Sequence, residues 1–192
     1  EQGITICNAL GYTNCRVNID PTFLLSRNEW SKAAVKPNRE IPSKYVITYF
    51  LGAVEENNEK VIDDFCKKNG AKRINLNSVK NLEWFDITPF EFLYLIKNAD
   101  FVFTDSFHAS VFSIIFGKSF LTADRISENN NRMNSRIDTL FATFSCENHR
   151  MQAFDGNIES LKLDTRKVES VIQHERSKTK EYFLDTLFNA SI

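Results

Sequence analysis

Hydrophobic positions in the middle of the chain change from the pattern of a strand to that of a helix. Residues 99–104, ADFVFT, form an apolar run rich in Phe and Val, which is typical of a strand buried on both faces. The next apolar residues share the spacing of one helix face: Phe107, Val111, Ile114 and Ile115. Gly117 is expected to end this helix, and residues 119–123 form a further strand. This stretch predicts one strand–helix–strand unit of a parallel sheet, built around a helix that is buried on nearly all sides.

The same alternation occurs on the N-terminal side of this unit. The predicted strands and helices there are, in order, residues 45–50, 55–69, 73–76 and 88–98. Thr88, Pro89 and Glu91 have the order of an N-cap, a first-turn proline and a capping-box glutamate. Strands that alternate with helices over short connections predict a right-handed, doubly wound α/β sheet that is mainly parallel.

The two ends of the chain carry weaker patterns. They predict, in order, a helix at residues 4–10, a strand at 15–19, a short helix at 28–35, a helix from Asn134 or Ser135, a strand at 149–154 and a helix from 165 to about 189. The centre of the last helix, residues 175–180, is polar and is expected to be solvated. Residues 36–44 contain two prolines and four charges and are interpreted as a linker. The predicted domain organisation is an N-terminal segment (1–40), an α/β lobe (41–163) and a C-terminal helix packed on the lobe (164–192).

Composition and charge narrow the class of protein. The chain has 192 residues and a net charge of −1, so no overall field attracts it to nucleic acid or to an anionic membrane. No apolar run is long enough for a transmembrane segment, and the first residues lack the pattern of a signal peptide. Four widely spaced cysteines without a CxxC pattern argue against a structural metal site and favour reduced thiols in the cytoplasm. The chain opens without Met, which suggests a processed chain or a piece of a longer one.

Polar residues stand where the predicted strands end. Asp105, Ser106 and His108 lie between a strand and the buried helix, and Asp105 or Ser106 is suited to be the N-cap. Ligands bind beyond the carboxyl ends of parallel strands, and a first helical turn offers unpaired N–H groups to an anion. We therefore expect an anion site here, with Gly52 after the first strand and Arg125 after the fourth. The alternative is that Asp105 and Ser106 only cap the helix and His108 is a half-buried structural histidine.

Arginines near this edge are candidates to hold a carboxylate or phosphate. Arg125 and Arg136, the latter expected in the first turn of the next helix, have the planar fork that matches such groups; the alternative for each, as for Arg132, is a solvated surface charge. His149 and His174 have no chemical constellation around them and are predicted to be surface residues. The absence of GxGxxG and GxxxxGK[ST] argues against a classical dinucleotide or P-loop site. The crowding of Asp, Ser and His in one turn argues against a catalytic triad.

The segment TDSFHASVFSIIFGKSF resembles the hallmark segment of the polysaccharide pyruvyl transferase family. Other stretches agree in order and spacing: IDPTFLLSRNEW, YVITYFLG, ITPFEFLYLIKNADFVFTDSFH, and Arg125 followed by NSRIDTLF and the final helix. The resemblance covers nearly the whole chain, and the SFH segment is its most specific part.

This resemblance implies a Rossmann-like lobe, the C-terminal one of two in a GT-B-like enzyme. It implies transfer of a pyruvyl group from phosphoenolpyruvate to a sugar hydroxyl of a surface polysaccharide or its lipid-linked precursor, with no further cofactor. His108 matches the family's functional histidine. The implied partners are phosphoenolpyruvate, a saccharide acceptor and the N-terminal lobe of the same enzyme, and a lipid-linked acceptor would bring the enzyme to a membrane surface.

The chain departs from the family pattern at the proposed site. Many characterised members carry Arg-Leu-His where this chain has Ser106-Phe107-His108, and Ala109-Ser110 replaces the common Gly-Thr. These differences put the identity of the donor in question more than the fold. Two alternatives therefore stay open: a GT-B-like glycosyltransferase that uses a nucleotide-sugar, and a non-catalytic ligand-binding lobe.

Overall fold

The strands form one parallel sheet, as the sequence predicts. A computed structural model of the chain describes residues 2–78, 82–125 and 131–188. Its strands are β1 (Tyr45–Tyr49), β2 (Lys72–Asn75), β3 (Phe101–Thr104) and β4 (Phe120–Thr122). They pair in the order β2-β1-β3-β4, and every pairing is parallel. This order and the helices between the strands give a Rossmann-like α/β arrangement.

The register aligns the carboxyl ends of three strands. Tyr49 pairs with Thr104, and Thr104 pairs with Thr122, so β1, β3 and β4 end at one level. The chain therefore leaves the sheet at three adjacent points, which are followed by residues 50–52, 105–108 and 123–125. These exits are the frame on which the candidate site is built.

Seven α-helices lie within the described residues. They are α1 (Gln2–Ala9), α2 (Arg27–Ala33), α3 (Glu56–Asn69), α4 (Pro89–Asn98), α5 (Phe107–Phe116), α6 (Asn131–Phe144) and α7 (Thr165–Phe188). The capping box predicted for α4 is formed by Thr88 with Glu91, and Ser26 with Glu29 forms another at the start of α2. Gly117 ends α5 in the left-handed conformation at φ +64°, which a residue with a Cβ adopts only at a cost.

Helix α5 lies at the centre of its unit. Nine of its ten residues are buried, among them Phe112, Ile115 and Phe116, and His108 is the exposed one. A core cluster next to the sheet includes Phe101 and Phe103 of β3. The prediction of a helix buried on nearly all sides is confirmed.

Two predicted strands are wrong, and one predicted helix begins earlier than expected. Residues 15–19 form no strand in the structure, because their backbone finds no sheet edge to pair with among the described residues. Residues 149–154 adopt 3-10 turns, Glu147–His149 and Met151–Ala153, with one isolated parallel bridge between Thr122 and Arg150. Helix α6 begins at Asn131 and not near Asn134 or Ser135. Residues 126–130, before α6, lie outside the described residues.

Contacts divide the chain into two compact units, residues 1–25 with 165–192, and residues 26–164. In the first unit, the centre of α7 is solvated only in part: Ser177, Lys178 and Lys180 are exposed as predicted, and other side chains there are not. Arg176 donates to the carbonyls of Phe23 and Leu25 at 2.5 and 2.7 Å, and Thr179 is buried. The polar pattern was misleading because these side chains serve as hydrogen-bond donors and acceptors to residues 19–25. The division into residues 1–40, 41–163 and 164–192 stays a prediction.

Candidate functional site

Asp105 joins two of the strand exits. Its Oδ1 accepts the N–H of Leu51 at 2.7 Å and its Oδ2 accepts the N–H of Gly52 at 2.8 Å. The residue is only 3% exposed, although it carries a charged side chain. A carboxylate buried in this way needs strong donors on both oxygens, and the first turn after β1 provides them.

Ser106, and not Asp105, is the N-cap of α5. Its hydroxyl accepts the N–H of Ala109 at 3.5 Å, and its own N–H donates to Thr104 Oγ1 at 2.9 Å. Thr104 in turn donates to the carbonyl of Tyr49 at 2.6 Å. The start of α5 is therefore fixed to the ends of β1 and β3 by side-chain hydrogen bonds.

His108 occupies the second position of α5 and is exposed to solvent. Its neighbours in the helix are buried, so the backbone that carries the imidazole is held on both sides. The ring lies 5.5 Å from that of Phe107, in an edge-on arrangement. His108 thus combines a firmly held backbone with an accessible side chain at the carboxyl edge of the sheet.

Arg125 follows β4 and reaches back over the exit of β3. Its Nε donates to Asp105 Oδ2 and its terminal nitrogen donates to the Asp105 carbonyl, both at 3.2 Å. The Arg125 side chain is 18% exposed, so part of it stays accessible. The structure brings Arg125, Asp105 and Gly52 into direct contact.

Gly52 lies under the stem of this arginine. A Cβ at position 52 would stand 3.0 Å from Arg125 Cγ and 3.2 Å from Asp105 Oδ2, closer than side chains normally pack. Gly52 was predicted from the sequence to belong to an anion site. In the structure, the atoms that approach Gly52 are those of Arg125 and Asp105.

Arg136 lies in the second turn of α6, because this helix starts earlier than predicted. Its guanidinium carbon stands 4.1 Å from the ring centroid of Phe107, in a cation–π contact with the first residue of α5. Arg136 is exposed and borders the turn that carries His108. The side chain of Arg132 lies outside the described part of the chain.

Tyr49 belongs to the same edge, although it was not among the predicted site residues. Burial raises the pKa of its phenol, the negative charge of Asp105 raises it further, and the positive charge of Arg125 opposes both. The ring packs edge-on against Phe92 at 5.3 Å. Its position as the last residue of β1 was the signal in the sequence.

Next to the site, Arg150 neutralises two carboxylates. It forms ion pairs with Asp124 and Asp138 and stands 5.3 Å from the ring centroid of Phe141. Arg150 and the two carboxylates line an open cleft of about 380 Å³ beyond β4. The Arg150 guanidinium is thereby paired with its own neighbours, and no pattern in the sequence predicted these ion pairs.

His149 is not a surface residue. It is 2% exposed, and its Nδ1–H donates to the carbonyl of Phe120 in β4 at 3.0 Å. The prediction was wrong because the partner lies 29 residues earlier in the chain. His174, by contrast, is exposed on α7, as predicted.

No group of His, Cys, Asp and Glu residues suited to a metal ion exists within residues 2–78, 82–125 and 131–188. None of the helices in these ranges is both long and apolar enough to cross a lipid bilayer.

Comparison with known proteins gave one match. The model of the polysaccharide pyruvyl transferase family matches residues 3–125. The matched range contains all four strands, Gly52, the turn with Asp105, Ser106 and His108, and it ends at Arg125; Arg136 lies beyond it. Searches of curated proteins and of solved structures returned no significant match.

Proposed function

Because the chain belongs to the polysaccharide pyruvyl transferase family, we propose that it holds the donor in an enzyme that transfers pyruvyl groups from phosphoenolpyruvate. The acceptor is a sugar of a surface polysaccharide or of its lipid-linked precursor. The observation that carries the proposal is an exposed His108 in the first turn of the buried helix α5, beside an arginine at the next strand exit.

Phosphoenolpyruvate has two anionic groups, and this edge of the sheet offers two kinds of donor for them. The first turn of α5 presents backbone N–H groups and the positive end of the helix dipole, which suit a phosphate. Arg125 has a planar guanidinium that pairs well with a carboxylate. We assign the phosphate to the turn at Ser106–His108 and the carboxylate to Arg125, with Arg136 beside the same turn.

The reaction forms a ketal at C2 of the donor. A first sugar hydroxyl adds to C2 while the methylene carbon takes up a proton and becomes a methyl group. A second hydroxyl of the same sugar then displaces phosphate from C2, so two C–O bonds to the sugar form and inorganic phosphate leaves. His108 is placed to take the proton from the attacking hydroxyl or to supply one to the methylene, since imidazole changes charge nearest to neutral pH.

The proposal extends to the whole enzyme. A second lobe, arranged as in GT-B enzymes, would face the carboxyl edge of this sheet and supply contacts to the acceptor. The enzyme would work in the cytoplasm, where phosphoenolpyruvate is available, and a lipid-linked acceptor would hold it at a membrane surface.

The test uses the full-length enzyme with a panel of saccharide acceptors. With phosphoenolpyruvate, we expect release of inorganic phosphate that depends on the acceptor, together with an acceptor product that carries a pyruvyl ketal. His108→Ala should abolish both signals and leave the thermal unfolding midpoint nearly unchanged, because the side chain is exposed. His174→Ala is the matched control, since His174 is also an exposed helical histidine.

The donor is tested in the same experiment. Ser106 stands where many members of the family carry an arginine, so nucleotide-sugars are offered in parallel. Release of a nucleoside diphosphate, with a glycosylated product and no ketal, would replace the proposed donor. Unchanged transfer in His108→Ala would remove the catalytic role of the histidine.

A further inference from the structure

We infer that Asp105 is a positioning residue, which together with Gly52 holds the Arg125 guanidinium at the start of α5, and that Asp105 does not itself bind the donor. This inference rests on the proposed function for its kinetic consequences. From the sequence, Asp105 and Gly52 were predicted to be anion-binding residues.

The Asp105 carboxylate takes its hydrogen-bond donors from within the protein. It accepts three donors from two distant segments: the N–H groups of Leu51 and Gly52, and Nε of Arg125. The residue is 3% exposed, so little of it is open to a ligand. A carboxylate would also repel an anionic donor bound beside it. Its partners lie within the protein, and its effect on a ligand must pass through them.

The N–H groups of the Arg125 guanidinium fall into two sets, those that contact Asp105 and those that do not. A guanidinium has five N–H donors in a fixed plane. Two of them are used on Asp105, one on the carboxylate and one on the backbone carbonyl. The other three have no partner among the described residues. One edge of the guanidinium is therefore anchored, which leaves the remaining donors for a ligand without the entropic cost of ordering a free arginine.

Gly52 leaves room for the Arg125 side chain. The stem of Arg125 crosses position 52 so closely that a Cβ there would stand 3.0 Å from Arg125 Cγ. Gly52 does not have a positive φ, so its backbone alone does not require glycine. The requirement is for space. An alanine at this position would displace the arginine or the Asp105 carboxylate, without straining the turn itself.

The topology explains why Asp105 is suited to this task. Arg125 follows β4 and Gly52 follows β1, and β3 lies between these two strands. Asp105, directly after β3, is adjacent to both exits. One carboxylate thus links the turn after β1, the start of α5 and the cation after β4, and it fixes the geometry of all three.

The test compares donor kinetics of the full-length enzyme in a double-mutant cycle. Arg125→Ala should raise the KM for phosphoenolpyruvate about tenfold to a hundredfold, in line with the loss of a hydrogen bond to a charged group. Asp105→Asn should raise it by a similar factor. The double variant should be within about threefold of Arg125→Ala alone, because Asp105 acts through Arg125. Multiplied effects in the double variant would show independent contact with the donor and overturn the inference.

Gly52→Ala is a second test of the positioning role, and it leaves the charge of Asp105 in place. It should raise the donor KM with a smaller change in kcat, whereas a purely structural defect would lower the amount of active enzyme and leave KM unchanged. Gly3→Ala is the matched control, because a Cβ at Gly3 would meet nothing within 4 Å and its φ is not positive. An unchanged KM in Gly52→Ala would also overturn the inference.

A readout without catalysis separates this inference from the proposed function. In NMR spectra of the full-length protein, the Nε–H of Arg125 and the amides of Leu51 and Gly52 should be protected from exchange with water. Asp105→Asn should remove this protection, and Asp64→Asn, at an exposed aspartate on α3, should not. Protection that survives in Asp105→Asn would refute the positioning role even if phosphoenolpyruvate proves to be the donor. Lost protection in an enzyme that does not use phosphoenolpyruvate would support the positioning role and reject the proposed function.

Discussion

His149 supports the sheet through ring packing and a hydrogen bond. Its ring centroid lies 4.4 Å from that of Phe120, and its Nδ1–H satisfies the Phe120 carbonyl. Burial lowers the pKa of His149 to about 4, because the charged imidazolium would lose its hydration, and the hydrogen bond to Phe120 opposes this shift. At neutral pH the side chain is therefore a neutral part of the core.

This burial predicts a pH-dependent stability. Below about pH 6.5 the unfolded chain binds a proton at position 149. The folded protein binds this proton only when the pH falls to about 4. The free energy of unfolding should therefore fall as the pH is lowered through this window, by about 3 kcal/mol at most. His149→Phe keeps a planar ring but cannot titrate, so its stability should fall less between pH 7 and pH 4.5 in urea unfolding.

His174→Gln controls for the loss of an exposed histidine and should keep the pH dependence of the original protein. Carboxylates titrate in the same range, so the difference between the original protein and His149→Phe is the quantity to compare. Equal losses of stability in these two proteins would show that folded His149 binds its proton over the same pH range as the unfolded chain.

At the scale of residues, the sequence predicted which residue types suit a position better than it predicted their hydrogen-bond partners. Ser106 was one of two N-cap candidates because Ser and Asp both favour that position. Which of them caps α5 depends on Leu51, Gly52 and Arg125, which draw Asp105 away from the helix. Such partners are 20 to 54 residues distant in the chain, and local sequence patterns hold no information about them.

At the scale of elements, an aromatic cluster joins three helices. The ring of Phe112 in α5 lies 5.2 Å from Trp30 of α2 and 6.4 Å from Phe92 of α4, and it stacks on Phe116 at 6.2 Å. Phe112 is 8% exposed, so nearly all of its side chain is buried. The cluster holds α5 in the orientation that presents His108 at the edge of the sheet.

Truncation of this side chain should be costly. Phe112→Ala should lower the free energy of unfolding by about 3–5 kcal/mol, as is typical when a buried phenylalanine leaves a cavity. Phe90→Ala, at an exposed phenylalanine of α4, should cost less than about 1 kcal/mol. Both values come from chemical denaturation. A loss below about 1 kcal/mol for Phe112→Ala would show that α5 is not central to the fold.

Elements were predictable where periodicity and caps agree. The four strands of the sheet and helices α3, α4 and α5 were found from apolar spacing, with Thr88, Ser106 and Gly117 marking boundaries. The wrongly predicted strands at 15–19 and 149–154 have short apolar patterns without such boundary signals. A strand also needs a partner, and the isolated bridge at Arg150 shows how little pairing is left beside β4.

At the scale of the whole molecule, the proposed two-lobe arrangement makes a prediction about the isolated chain. The 192-residue chain should bind phosphoenolpyruvate weakly and should not transfer its pyruvyl group, because the contacts to the acceptor are assigned to the other lobe. Calorimetry measures the binding, and acceptor-dependent phosphate release measures the transfer. Pyruvyl transfer by the chain alone would place the complete site within it.

The alignment of strand ends also has a consequence for how the protein acquires its binding capacity. A slip of β3 against β1 by two residues would keep every side chain on its own face but move Asp105 by about 6.6 Å. The carboxylate would then miss Leu51 and Gly52, and the arginine would lose its anchor. Tyr49 and Thr104, which set the correct register, are 55 residues apart, and contacts between such distant segments form late in folding. A refolding chain can thus regain its helices well before it recognises a ligand, and ligand recognition reports that the sheet has assembled in its correct register.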